Sequence, residues 1–288
     1  MPYTPGIDAD CIDEVHAHMQ LTTYPFITPI SRQAIAGIGE LHGTGTFVEL
    51  RGRPYILTNE HVVRLGVGFQ LSHFVGGGRF VSNINFPFCA APSPIDAAIA
   101  RVNPEVLVGG DRQVLPASSL DTTFSPVDGE IMFVQGYPVN LEAFDADTLR
   151  AHATPLTIDL IDLPIRHEID PAKHIAVRYP IVGYQPGGQA AFLPDPVGLS
   201  GSALWDTKYV AAGANEWVPG NAKVAGLIFG YISNPSCLLA TKIEVVREFL
   251  LDALRHEAAY YRYLETFDHP GGALSDWLWA EQEIAAIH

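Results

Sequence analysis

Tyr55-Ile-Leu-Thr-Asn-Glu-His-Val-Val63 is an apolar strand that runs into a short polar turn and reaches a histidine, His61. Thr58-Asn-Glu60 reads as the start of a single helical turn that Val62 and Val63 would pin to a core. Farther on, Asp96 opens the apolar stretch Asp96-Ala-Ala-Ile-Ala-Arg-Val102, and Ser200 lies in Gly198-Leu-Ser-Gly-Ser202. A base, an orienting carboxylate and a nucleophile therefore follow in the order His, Asp, Ser. The same three roles occur in other chain orders on unrelated folds, so the order bears on architecture.

Outward from that stretch, the texture from about residue 35 to 240 is one of short apolar or alternating runs. Gly45-Thr-Phe-Val-Glu-Leu50, Ile131-Met-Phe-Val-Gln135, Lys223-Val-Ala-Gly-Leu-Ile-Phe229 and Cys237-Leu-Leu-Ala240 are separated by turn residues such as Arg51-Gly-Arg-Pro54. Many short strands at this spacing predict an all-β sandwich or barrel, and the lack of strand–helix alternation argues against a parallel sheet. Two helical patterns frame this region. Ile12, Val15 and Met19 predict a helix over 8–20, capped by Asp8 or Asp10. Ile243, Val246, Leu250, Leu254, Tyr261 and Leu264 predict an amphipathic helix from 242 to about 266 that docks on the barrel. A last helix is expected from Ser275, where Trp277 and Trp279 would pack on the barrel or face a partner. The divisions expected are 1–33, an N-terminal extension; 34–120, an N-terminal β-barrel; 121–241, a C-terminal β-barrel; and 242–288, a C-terminal helical segment.

The 288 residues are enough for a large core, and 48% are hydrophobic, which excludes a disordered chain. Thirty-two acidic against 17 basic residues give a formal charge of -15. That field repels phosphate backbones, so no nucleic-acid partner is expected. The three cysteines, Cys11, Cys89 and Cys237, are widely spaced and odd in number, against both a disulfide framework and a zinc knuckle. The N-terminus lacks a signal-peptide pattern and no apolar run is long enough for a bilayer, which predicts a cytoplasmic protein without a membrane partner. No cofactor and no metal are expected. His16 and His18 lie two apart on a helix and cannot face one ion.

A serine hydroxyl needs a base within hydrogen-bond reach, a group that fixes the base's tautomer, and donors aimed at the oxyanion. Gly198 and Gly201 bracket Ser200 and open backbone angles that a Cβ closes. The amides of Gly198 and Ser200 can then face one hole. The rivals are His42 for the base, Asp111 or Asp121 for the carboxylate and Ser202 for the nucleophile. His42 lacks the strand-then-turn mount, the two aspartates sit in loop-like sequence, and Ser202 lacks the paired glycines.

The chain resembles the trypsin-like (chymotrypsin-fold) serine peptidases, most of all their bacterial, disulfide-free branch that includes the high-temperature-requirement stress proteases. The resemblance rests on Gly43-Thr-Gly-Thr-Phe47, Leu57-Thr-Asn-Glu-His-Val-Val63, Asp96-Ala-Ala-Ile-Ala100, Val134-Gln-Gly-Tyr-Pro138, Gly198-Leu-Ser-Gly-Ser202 and Val224-Ala-Gly-Leu-Ile228. It implies two perpendicular antiparallel β-barrels with the site in the cleft between them. It also implies His61 as general base, Asp96 as its orienter, Ser200 as nucleophile and the Gly198 and Ser200 amides as oxyanion hole. Pro194, Asp195, Leu227 and Ile228 are the expected substrate-pocket residues, and an inward Asp195 would favour Lys or Arg. Two positions depart from the family. Leu199 replaces the aspartate that pairs with a new N-terminus in digestive members, and Ser202 replaces a glycine. Residues 1–33, 145–190 and those after 242 lie outside the match.

The leading expectation is a serine endopeptidase that cleaves protein or peptide substrates through an acyl-enzyme. The alternative is a gated or inactive trypsin-like module that binds peptides or partners, with the terminal extensions as docking elements. A nucleophile elbow using Ser200, Asp252 and His256 is the weaker third reading, because both partners share one helix and no βα alternation surrounds the serine.

Overall fold

A computed structural model of the chain describes residues 7–35, 38–64, 70–75, 80–84, 88–108, 110–145, 148–184 and 188–265. The helix expected from Ser275, with Trp277 and Trp279, lies outside the described residues. So does Leu264 as a side chain.

Helix α1 spans Ala9–Thr23, and the Asp8 carboxylate caps it by accepting the Asp10 amide at 3.3 Å. Seven strands follow: β1 (Ile27–Ile35), β2 (Ile38–Leu50), β3 (Arg53–Thr58), β4 (Gln70–Val75), β5 (Phe80–Asn83), β6 (Cys89–Ala91) and β7 (Ala97–Arg101). The short helix α2 (Glu60–Arg64) interrupts them after β3. The strands form one antiparallel sheet in the order β5-β4-β1-β2-β3-β7-β6. Arg51 and Gly52 link β2 to β3 with φ of 55° and 68°. Two positive φ values in a two-residue loop match the twist of a hairpin. The sheet curls so that Ile30, Phe47, Ile56, Leu71 and Ala98, from five of its strands, share one core with Val62 and Val63 of α2.

The second unit contains β8 (Ile131–Gly136), β11 (Thr154–Ile161), β12 (His174–Arg178), β15 (Ala203–Asp206), β16 (Lys223–Ser233) and β17 (Ser236–Lys242). They close into a barrel in the order β11-β12-β17-β16-β15-β8. Two hairpins project from the connections, β9 (Glu142–Asp145) with β10 (Thr148–Ala151) and β13 (Val182–Tyr184) with β14 (Ala190–Phe192). A single helical turn, α3 (Tyr209–Ala212), follows β15. The period of two is visible in the packing. Met132, Val134, Leu156, Ile158, Ile175, Val177, Leu238 and Ala240 fill the barrel, while Ile131 and Phe133 point out of it.

The all-β antiparallel architecture fits the trypsin-like expectation. The two units differ in closure: the second is a closed barrel, and the first is an open, curled sheet among the described residues. Its end strands, β5 and β6, have four and three residues. Residues 115–120 carry the chain between the units, with Leu115 bridging Val48 and Leu120 bridging Val224.

Between the units lies a third core, the seam. Val48, Tyr55, Leu57 and Ile99 of the sheet meet Ile131, Phe133, Trp205 and Val224 of the barrel. Both helices seal it. Val15 and Met19 enter from α1, and α4 (Ile243–Glu265) buries Ile243, Val246, Leu250 and Leu254. Each such side chain stabilises the seam by about 1.5–3 kcal/mol. Farther along α4, Glu257 accepts the Tyr55 hydroxyl at 2.6 Å and pairs with Arg101 at 3.0 Å, and Tyr261 lies under the Arg101 guanidinium. The helix is thereby tied to the sheet as well as the barrel. No helix among the described residues is long and apolar enough to cross a membrane.

Candidate active site

The register of β3 against β7, with Thr58 opposite Ala98, sets the ends of these strands side by side. His61 rides on α2 just after β3, and Asp96 sits just before β7. The Asp96 carboxylate grips His61 twice: Oδ1 accepts the backbone N–H at 3.0 Å, and Oδ2 lies 2.6 Å from Nδ1. A carboxylate at Nδ1 places the ring hydrogen there and leaves Nε2 as the basic nitrogen. The Asp96 side chain is 11% exposed and that of His61 30%, so the pair is sheltered on one side and open on the other. Asp96 adopts φ of 48°, a left-handed conformation costly for a residue with a Cβ. The Asn59 amide helps to hold it there by donating to the Asp96 carbonyl at 2.6 Å.

Two consecutive turns build the loop around Ser200. The Leu199 amide donates to Pro196 O, and the Ser202 amide donates to Leu199 O, both at 3.0 Å. Glycine occupies the third position of each turn, Gly198 with φ of 98° and Gly201 with φ of 88°. That is where type II turns demand a positive φ. A Cβ on Gly201 would also collide with the Thr44 carbonyl, and one on Gly198 with the Tyr137 carbonyl. The glycine–serine–glycine pattern is thus a requirement of backbone geometry. Ser202 is accommodated because its hydroxyl occupies the space beside Gly136 that a Cβ there would fill.

Every carbonyl of this loop is held. Pro196 O and Leu199 O accept within the turns, Val197 O accepts from Val139 N, and Ser202 O accepts from Ile228 N. Ser200 O accepts from Thr44 N at 2.8 Å. Gly198 O accepts the Thr44 hydroxyl at 2.9 Å and Gly201 O the Thr46 hydroxyl at 3.3 Å. The amides of Val197, Leu199, Gly201 and Ser202 donate to protein acceptors. Those of Gly198 and Ser200 have no such acceptor among the described residues. In a trans peptide the N–H points opposite to the preceding C=O. Anchoring Val197 O and Leu199 O therefore fixes the direction of both unused amides.

The structure joins His61 and Asp96 directly, and ties the Ser200 backbone to β2 through Thr44. Gly43 lies between α2 and the serine loop: a Cβ there would lie 2.8 Å from a Val62 methyl and 3.0 Å from Ser200 O. Among the described residues no hydrogen bond links the Ser200 hydroxyl to the imidazole. The expected pocket residues are not gathered into one lining. Leu227 is buried in the seam and Ile228 in the barrel, on opposite faces of β16. Asp195 is exposed and accepts the Val197 amide at 3.0 Å, while Pro194 O accepts the Tyr179 hydroxyl at 2.7 Å. A groove of about 750 Å³ opens elsewhere, between α1, β11 and the β13–β14 hairpin. It reaches Leu193 and Pro194 without including His61, Asp96 or Ser200.

The rival residues have other partners. His42 lies 3.9 Å from Glu40, and burial together with Arg32 pushes its pKa down. His16 bonds Thr157, and His18 stands edge-on to Trp217. Ser200 is followed by strand β15 where an elbow requires a helix, and Asp252 pairs with Arg255 on α4. Thr44 and Asn59 are the supports that sequence reasoning passed over. Both lie inside motifs it quoted, without a supporting role assigned to their side chains.

No family model matches the chain, and no curated protein matches it. Among solved structures it is similar to the serine protease domain of the Sesbania mosaic virus polyprotein, at 13% identity over 77% of this chain and 91% of that one, with a TM-score of 0.43. It is also similar to an HtrA-type protease, AlgW, solved with a decapeptide, at 14% identity over 87% of this chain and 67% of that one, with a TM-score of 0.47. Neither likeness is close enough to assign chemistry.

Proposed function

We propose that this chain is a serine endopeptidase that works through an acyl-enzyme. Ser200 Oγ attacks the scissile carbonyl while His61 Nε2 takes its proton. The oxyanion is received by the amides of Gly198 and Ser200. His61 returns the proton to the departing amine, and water then repeats the sequence to release the acid. Asp96 holds the ring and stabilises its charged form.

The observation that carries this reading is the Ser200 loop, whose carbonyls are all anchored and whose Gly198 and Ser200 amides alone lack a protein acceptor among the described residues. Preset donors of that kind supply a large share of catalysis in acyl transfer. Contact between hydroxyl and imidazole in such sites commonly tightens only on substrate. The test is a peptide-library digest with wild type and Ser200→Ala, beside labelling by an active-site phosphonate. Cleavage and labelling that both vanish in the variant support the proposal. Wild-type protein that cleaves nothing and is never labelled at Ser200 overturns it.

The open Ser200–His61 contact favours one second reading, a gated module that binds peptides and turns over only when triggered. Tight binding of peptides without cleavage would separate it from the first.

A further inference from the structure

His174 lies in β12 of the barrel, 1% exposed, and among the described residues no hydrogen bond joins it to His61 or Ser200. Its hydrogen bonds define its tautomer. The Asp170 amide donates to Nδ1 at 3.0 Å, so Nδ1 is an acceptor and the hydrogen sits on Nε2. Nε2 is 2.8 Å from the carbonyl of Pro94, to which it donates across the seam. The ring is further fixed against Phe229, with centroids 5.0 Å apart.

Pro94 begins the loop that carries Asp96. The next carbonyl, Ile95 O, accepts the Thr241 hydroxyl of β17 at 2.8 Å, and the next, Asp96 O, accepts from Asn59. Three successive carbonyls are held, the first two by the barrel. The left-handed φ of Asp96 is less favourable than an extended one for a residue with a Cβ, so contacts on the neighbouring peptides help to hold it. The first unit supplies the contacts of Asn59 and His61 with Asp96 and the turn onto Pro92 O, and the barrel adds those of His174 and Thr241.

We propose that His174, in its Nε2–H form, is a positioning residue that seats the Asp96 carboxylate on His61 from the opposite unit. The proposal rests on the triad reading for its effect on turnover, but its structural content does not require proteolysis. A ring hydrogen shared between Nδ1 and a carboxylate gives a strongly downfield proton resonance, so the His61–Asp96 contact can be followed without substrate.

The experiment compares His174→Phe, which keeps the ring against Phe229 and loses both hydrogen bonds, with His174→Gln, whose amide can still donate to Pro94 O. Circular dichroism and thermal unfolding confirm folding at the assay temperature. The expected result for His174→Phe is loss or displacement of the downfield resonance and a fall in kcat of about 10²-fold, with KM little changed. His174→Gln should restore most of both. A folded His174→Phe with resonance and kcat unaltered overturns the proposal. Should His174→Phe fail to fold, His174→Asn decides: its amide oxygen can accept the Asp170 N–H but its side chain does not reach Pro94. An unaltered resonance there refutes the positioning role, and a lost one supports it. A wild type that shows the resonance but cleaves nothing defeats only the peptidase reading.

Discussion

The Thr44 hydroxyl donates to the carbonyl of Gly198 across 2.9 Å, and so a strand of the open sheet fixes a peptide in the serine loop of the barrel. The same oxygen accepts the Tyr137 amide at 3.0 Å, and the Thr44 amide donates to Ser200 O. Thr44→Val keeps the shape and removes the hydroxyl. Two buried groups then lose their partner, at about 1–3 kcal/mol of stability. Turnover is expected to fall by roughly 10-fold, less than for loss of an oxyanion donor itself, with KM nearly unchanged. Steady-state kinetics and thermal unfolding of the variant check both parts.

Asp96→Asn keeps an oxygen able to accept the His61 amide but presents an amide or a neutral oxygen to Nδ1. The imidazole then loses its preferred tautomer, and kcat is expected to drop by about 10⁴. The folded structure should remain, as judged by circular dichroism. A loss of less than 10-fold would show that Asp96 does not orient the base.

Two glycines with similar φ should respond very differently to alanine. Gly52, at 68°, has open space around its would-be Cβ, so Gly52→Ala is expected to cost about 1 kcal/mol. Gly201, at 88°, faces the Thr44 carbonyl and the Thr58 hydroxyl at close range. Gly201→Ala should cost about 3 kcal/mol or more and abolish labelling of Ser200. Urea denaturation of the two variants gives the comparison.

His73 is buried in the core of the sheet, edge-on to Phe47, and burial pushes its pKa down to about 4. The unfolded chain binds a proton there near pH 6.5, the folded one only near 4. The unfolded state therefore holds more protons between these values, and stability falls as pH drops through that window. The full loss is about 3 kcal/mol, with no further change from this group below pH 4. His73→Phe should flatten this part of the curve of unfolding free energy against pH. An unchanged slope would assign it to other groups, such as His16 and His42, whose pKa values burial also lowers.

Local patterns carried most of what was legible in the sequence. The strand that leads to His61, the apolar start after Asp96 and the glycines around Ser200 each have short-range causes, in alternation, turn geometry and φ. The supports do not. Thr44 and Gly198 are 154 residues apart, and His174 and Pro94 are 80 apart. Nothing near His174 in the chain distinguishes it from a core histidine. Closure of the first unit was equally hidden, since the pairing of strands distant in the chain leaves no local pattern. Asp195 illustrates a third limit. A carboxylate two residues before an amide can turn back and cap it, and here it does.

Each unit braces the other's reacting segment: β2 steadies the serine loop, while β12 and β17 steady the loop before β7. A growing polypeptide therefore holds His61, Asp96 and Ser200 before it holds β17, the strand that closes the barrel and carries Thr241. On the proposed reading, the order of translation itself leaves the cleft incomplete until the last strand has emerged.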